Sequence, residues 1–149
     1  HDNNYRKFTK KQINSVLRLT KILIKKYRIK PNFILGHSDI SPVRKKDPGE
    51  KFPWRYLSKN KISYWHNLNK KILSKNRNKK VHNSDKNIFI KNLYKIGYSK
   101  GFEKGNINYI KFLTIAFQRR FRQELVNGIV DQECLDISNN LLKYINKFS

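Results

Sequence analysis

The chain has one cysteine, no methionine, four prolines and six glycines in 149 residues. A single thiol, Cys134, excludes an intrachain disulfide, so the fold has to hold itself together by packing. On its own such a residue reads as a small buried hydrophobe. No apolar run reaches the ~20 residues that a bilayer-spanning helix needs, and no apolar stretch near His1 resembles a signal peptide. A chain that starts at His1 and contains no methionine is expected to have lost, or never to have included, sequence upstream. Negative charge is scarcest of all: 10 Asp+Glu stand against 34 Lys+Arg, a formal charge of +24.

Such an imbalance first suggests a nucleic-acid partner. The excess, however, is mostly lysine accompanied by asparagine and isoleucine, three residues with A+T-rich codons that a biased genome inflates together. Lysines of that origin spread over a solvated surface instead of gathering into a stripe. We therefore expect no nucleic-acid partner, although the charge favours any polyanion. Hydrophobic residues make up 38% of the chain, with nine Phe, eight Tyr and two Trp, enough to build a core.

Along the chain, Thr9 or a neighbour can cap a helix running to about Tyr27. Ile13, Val16, Leu17, Thr20, Leu23, Ile24 and Tyr27 repeat at helical spacing, and lysines fill the opposite face. Lys30-Pro31 stops it. Phe33-Ile34-Leu35 before Gly36 reads as the end of a buried strand. From Gly36 to Pro53 the chain is rich in Gly, Pro, Ser and Asp, a long ordered loop of the kind that carries function. Phe52-Pro53-Trp54 closes it with aromatic bulk. The stretch from Asn69 to Ser84 is the most linker-like. Beyond it three helices are expected: one ending at Gly97, one marked by Ile107, Ile110, Leu113, Thr114, Phe117 and Phe121, and one capped by Asp131 after an Asn127-Gly128 turn.

The segment with chemistry in it is Gly36-His37-Ser38-Asp39-Ile40-Ser41-Pro42-Val43-Arg44-Lys45-Lys46-Asp47-Pro48-Gly49. A histidine at a strand end is followed, ten residues on, by an aspartate on a Pro- and Gly-fixed loop. Imidazole and carboxylate are both zinc ligands. Spacing alone leaves a second reading open, in which the histidine bonds a loop carbonyl and the aspartate caps a turn.

The segment resembles the Gly-His-Ser-Asp-Ile-x-Pro-x-Arg-Lys-x-Asp-Pro-Gly signature of AmpD-type N-acetylmuramoyl-L-alanine amidases, over about twenty positions including Phe52-Pro53-Trp54. The resemblance implies zinc dependence, with His37 and Asp47 as two of three metal ligands. It makes Lys45 the catalytic cation, placed to stabilise an oxyanion or protonate the leaving group. Asp39 and Arg44 are expected to hold the loop. The family's other histidine ligand and its catalytic glutamate sit on earlier strands with no counterpart in the chain. His66 and His82 are read as surface residues, and His1 falls just before the first helix, where the family places no ligand.

A second resemblance lies further on. Leu93-Tyr94-Lys95-Ile96-Gly97-Tyr98, Ala116-Phe117-Gln118 and Val126-Asn127-Gly128-Ile129-Val130-Asp131 with Leu135 are similar to the three-helix peptidoglycan-binding domain, with Cys134 where that family usually has Thr. Tyr98 and Gln118 are the weaker candidates for substrate contact. The fold expected is α+β: a partial α/β sandwich of an AmpD-like amidase domain over residues 1–60, a linker over 61–85, and a three-helix peptidoglycan-binding domain over 86–149. The activity implied is hydrolysis of the amide between N-acetylmuramic acid and L-alanine, with peptidoglycan or muropeptides as partners. The alternative is a binding-only piece of such an enzyme. The compartment implied is the bacterial cell envelope, the periplasm ahead of the cytoplasm.

Overall fold

The computed structural model describes residues 6–100 and 108–146. Helix α1 spans Lys10–Tyr27. Its start is a capping box: Thr9 Oγ1 accepts from the Gln12 N–H at 3.2 Å, and Gln12 Oε1 accepts from the Thr9 N–H at 2.8 Å. Arg28, with φ of 53°, ends it in the left-handed region. A 3₁₀ turn follows at Pro31–Phe33, then α2 at His37–Ile40 and α3 at Trp54–Lys59. Helix α4 spans Lys70–Asn76, α5 Asn83–Ile96, α6 Tyr109–Phe121 and α7 Gln132–Asn146.

The described residues contain helices and no strand, which corrects the α+β expectation. Residues 33–36, read as a strand end, run into the 3₁₀ turn at Phe33 and then out of it, extended and unladdered. A lone extended segment gains nothing without a neighbour to pair with. This one finds other partners: the Ile34 carbonyl accepts from Arg120 at 2.9 Å and the Gly36 N–H donates to Asp39 Oδ2 at 2.8 Å. The single bridge, Lys80 opposite Asp131, is isolated. No helix among the described residues is long and apolar enough to cross a membrane.

Two apolar clusters form the interior. One gathers Phe89, Leu93 and Ile96 of α5, Leu113, Phe117 and Phe121 of α6, and Cys134, Ile137 and Leu141 of α7. Phe117 is its centre, edge-on to Phe89 at 5.0 Å and tilted against Phe121 at 5.2 Å. Burial pushes the Cys134 thiol up to about 12, an inert core group. The smaller cluster joins Ile13 and Leu17 of α1 to Phe52, Trp54, Leu57 and Ile62. Trp65 packs against both. The stretch 61–85 holds α4, and Ile62, Tyr64 and Leu73 within it are buried.

Three acids are buried among arginines. Arg77 grips Glu133 through two bonds of 2.6 and 2.8 Å. Arg122 pairs with Asp131, which also accepts from the Cys134 N–H to cap α7 as the sequence suggests. The third pair, Arg120 with Asp39, joins α6 to α2.

Candidate functional site

Why the motif loop keeps its shape follows from its backbone bonds. The Ser38 N–H donates to the Asp47 carbonyl at 2.9 Å, drawing together two positions nine residues apart in sequence. Between them, Ser41 N–H donates to the His37 carbonyl and Lys45 N–H to the Ser41 carbonyl, each at 2.9 Å. Arg44 Nε adds a 3.0 Å bond to Ser41 Oγ. Gly36 opens the loop because nothing larger fits: a Cβ there would stand 2.9 Å from Pro48 Cδ and 3.2 Å from Trp54 Cζ2. Asp39, buried, accepts the Gly36 N–H and so fixes the turn in which His37 sits.

The result brings His37 Nδ1 to 3.2 Å from Asp47 Oδ2, with both side chains about half exposed. Two ligand atoms on a tetrahedral zinc, each roughly 2.0–2.2 Å from the ion, stand about 3.3 Å apart. The pair therefore matches two corners of such a site, open to solvent on the outer side. The same separation allows a direct Nδ1–H···O bond, the other reading of the motif. Lys45 is exposed on the loop that links them. Among the described residues no group of three or more His, Cys, Asp or Glu could hold a metal ion.

The weaker candidates sit elsewhere. Tyr98 and Gln118, read as substrate contacts, are both buried. Gln118 spends its amide on the turn before α7: its Oε1 accepts from the Asn127 and Gly128 N–H groups at 2.9 and 2.8 Å, and its Nε2 donates to the Ile129 carbonyl at 2.9 Å. Polar residues on helix faces look alike in sequence whether they face a ligand or the chain's own turn. His66, read as a surface residue, is partly enclosed beside Trp65, and burial, then Arg55, push its pKa down to about 4. His82 is exposed at the start of α5, and His1 lies outside the described residues.

Arg120 is the residue that sequence reading passed over. It lies on the apolar face of α6, three residues beyond Phe117, and is 1% exposed. A charge at a core position needs a partner, and that was the available signal.

Comparison with known proteins points one way. Residues 1–50 match the family model described as N-acetylmuramoyl-L-alanine amidase. The chain is 31% identical to the N-acetylmuramoyl-L-alanine amidase AmiD of Escherichia coli over 136 residues, 91% of this chain and 49% of that protein. It is 49% identical over 57 residues to the 1,6-anhydro-N-acetylmuramyl-L-alanine amidase AmpD of Haemophilus influenzae, 37% of this chain and 31% of that protein. The solved AmiD, in complex with the substrate anhydro-N-acetylmuramic acid-L-Ala-D-gamma-Glu-L-Lys, superposes with a TM-score of 0.76 over 93% of this chain and 53% of its own. AmpDh3 of Pseudomonas aeruginosa, 26% identical, superposes at 0.80 over 98% of this chain and 59% of its own. Over these spans the chain is similar to N-acetylmuramoyl-L-alanine amidases. It spans about half the length of AmiD and less than a third of AmpD.

Proposed function

We propose that the chain is part of a zinc-dependent amidase that cleaves the bond between N-acetylmuramic acid and L-alanine in peptidoglycan or its muropeptides. The observation that carries this is the approach of His37 Nδ1 and Asp47 Oδ2 to 3.2 Å on an open loop. Zinc, when bound, supplies Lewis-acid activation of an amide carbonyl and of water near neutral pH. The chain's own contribution is to hold the ligand atoms. The Ser38–Asp47 backbone bond sets the pair's spacing, and the Gly36–Asp39 turn aims the imidazole. Lys45 offers a cation on the same loop, suited to the charge that develops as the amide is attacked.

The activity test belongs to the longest natural form of the protein that carries these residues. Asp47→Ala there should lose metal and turnover together. Lys45→Ala should keep metal and lose turnover, since its role is confined to the transition state. Metal content unchanged in Asp47→Ala would sink the ligand assignment.

A second reading is favoured by ligand arithmetic. A catalytic zinc takes three protein ligands, and two converge among the described residues. On that reading the 149 residues bind peptidoglycan through 86–149 and hydrolyse it slowly or not at all. Release of L-alanyl peptides by the 149-residue chain alone, abolished by a chelator, would exclude it. A cell-wall substrate favours the bacterial envelope for either form, the periplasm ahead of the cytoplasm.

A further inference from the structure

We propose that Arg120 is a positioning residue for the His37 loop, so that the C-terminal helices set the geometry of the ligand pair. The inference rests on the metal reading above for its consequence, and on geometry alone for its cause. Helix α2 is a single turn of four residues, too short to hold its own direction. What fixes it comes from eighty residues away. Arg120 Nη1 donates to Asp39 Oδ2 at 2.7 Å, and Nη2 to the Ile34 carbonyl at 2.9 Å. One guanidinium thus grips the chain on both sides of His37, before the turn and within it.

The grip is enclosed. Arg120 and Asp39 are each 1% exposed. The Arg120 Cζ lies 4.1 Å from the centroid of the Trp54 ring, and 5.2 Å from that of Tyr64. Tyr98, also buried, feels the Asp39 charge, and burial with that charge raises its pKa. The backbone adds a second tie, with the Ser99 N–H donating to the Asp39 carbonyl at 3.1 Å. Because the Asp39 carboxylate is also the acceptor for the Gly36 N–H, a shift of α6 passes directly to the turn bearing the imidazole. Lysine could pair with Asp39 there but has no second arm in the guanidinium plane and no flat face for Trp54.

The test compares the 149-residue chain with its Arg120→Lys and Asp39→Asn variants, using Zn2+ alone as probe. Ring nitrogen shifts of His37 and hydrogen exchange of the Ser38 amide are followed by NMR, with circular dichroism for helix content. Helix content should hold. The Ser38 amide should lose at least tenfold in protection in both variants, and Zn2+ affinity should fall ten- to a hundredfold, the usual cost of removing a partner behind a metal ligand. An unchanged Ser38 amide and unchanged Zn2+ affinity would overturn the proposal. If Zn2+ leaves the wild-type His37 ring unmoved, the metal reading fails, and the Ser38 amide still decides the positioning. Should one variant unfold, the other decides; should both, native-state exchange of the wild type decides. Ser38 and the buried amides of α6 must then open with one free energy, and separate opening of the loop would refute the link.

Discussion

The enclosed His66 ring should make the fold sensitive to mild acid. Its ring is enclosed beside Trp65, and burial, then the Arg55 cation, lower its pKa from 6.5 to about 4; Glu124 and a bond to the Phe121 backbone oppose the shift without cancelling it. A histidine whose folded pKa is depressed binds its proton more readily when unfolded. The stability it contributes is therefore complete above the unfolded value of 6.5 and is lost as pH falls toward about 4. Between pH 7 and pH 5 that linkage amounts to about 2 kcal/mol, an upper figure because the ring keeps some solvent contact. Urea unfolding at the two pH values, at constant ionic strength, should show this loss in the wild type. His66→Gln, which has no ring proton to gain, should show less loss by that amount. Equal losses in the two proteins, or a ring titrating at 6.5 or above by NMR, would refute the reasoning.

Two core substitutions test the packing. Phe117→Ala removes the fully buried ring between Phe89 and Phe121 and should cost about 3–5 kcal/mol in denaturant unfolding; a loss under 1 kcal/mol would mean that α5, α6 and α7 do not meet there. Gly128→Ala forces a side chain onto a residue with φ of 74°, with its Cβ 2.8 Å from Lys111 Cγ and 3.1 Å from Ile115 Cγ1. It should destabilise by roughly 1–2 kcal/mol, read as a lower Tm.

Local signals were legible where the chain interacts with itself over short range. A cap at or near Thr9, a stop at Gly97 and an N-cap at Asp131 were readable, and α1, α5, α6 and α7 run close to where periodicity and caps put them. The motif likewise brought His37 and Asp47 together. Legibility failed where a residue's partner is distant in sequence. Phe33 to Gly36 has strand composition, but a strand exists only through its neighbour, and here the Ile34 carbonyl goes to Arg120. Gln118 was a candidate for substrate contact because nothing local says that the Asn127-Gly128 turn folds back over it. Residues 61–85 read as a mostly polar, lysine-rich linker with scattered apolar residues, yet Tyr64 is buried and donates to the Ile96 carbonyl at 3.3 Å, a contact across thirty-two positions.

The charge imbalance divides by residue type. Among the described residues no lysine is buried, whereas Arg120 and Arg122 are, each against an aspartate. Ammonium is strongly hydrated and stays in water; the planar guanidinium loses less on burial and reaches two acceptors at once. With ten acids in the chain, committing Asp39, Asp131 and Glu133 to the interior leaves few at the surface. Those that remain among the described residues mostly have plain structural partners. Glu50 meets Arg119, Glu124 meets Lys70, Asp85 accepts the His82 N–H at the start of α5, and Asp136 accepts from Asn76. Asp47 differs, since its carboxylate faces an imidazole instead of a cation or an amide, in the open, in a chain with lysines to spare. A stability role would be served better by any of those lysines. On the zinc reading proposed above, this half-exposed carboxylate and imidazole would be two of the three ligands, and the buried Arg120–Asp39 pair behind them would keep their spacing from drifting.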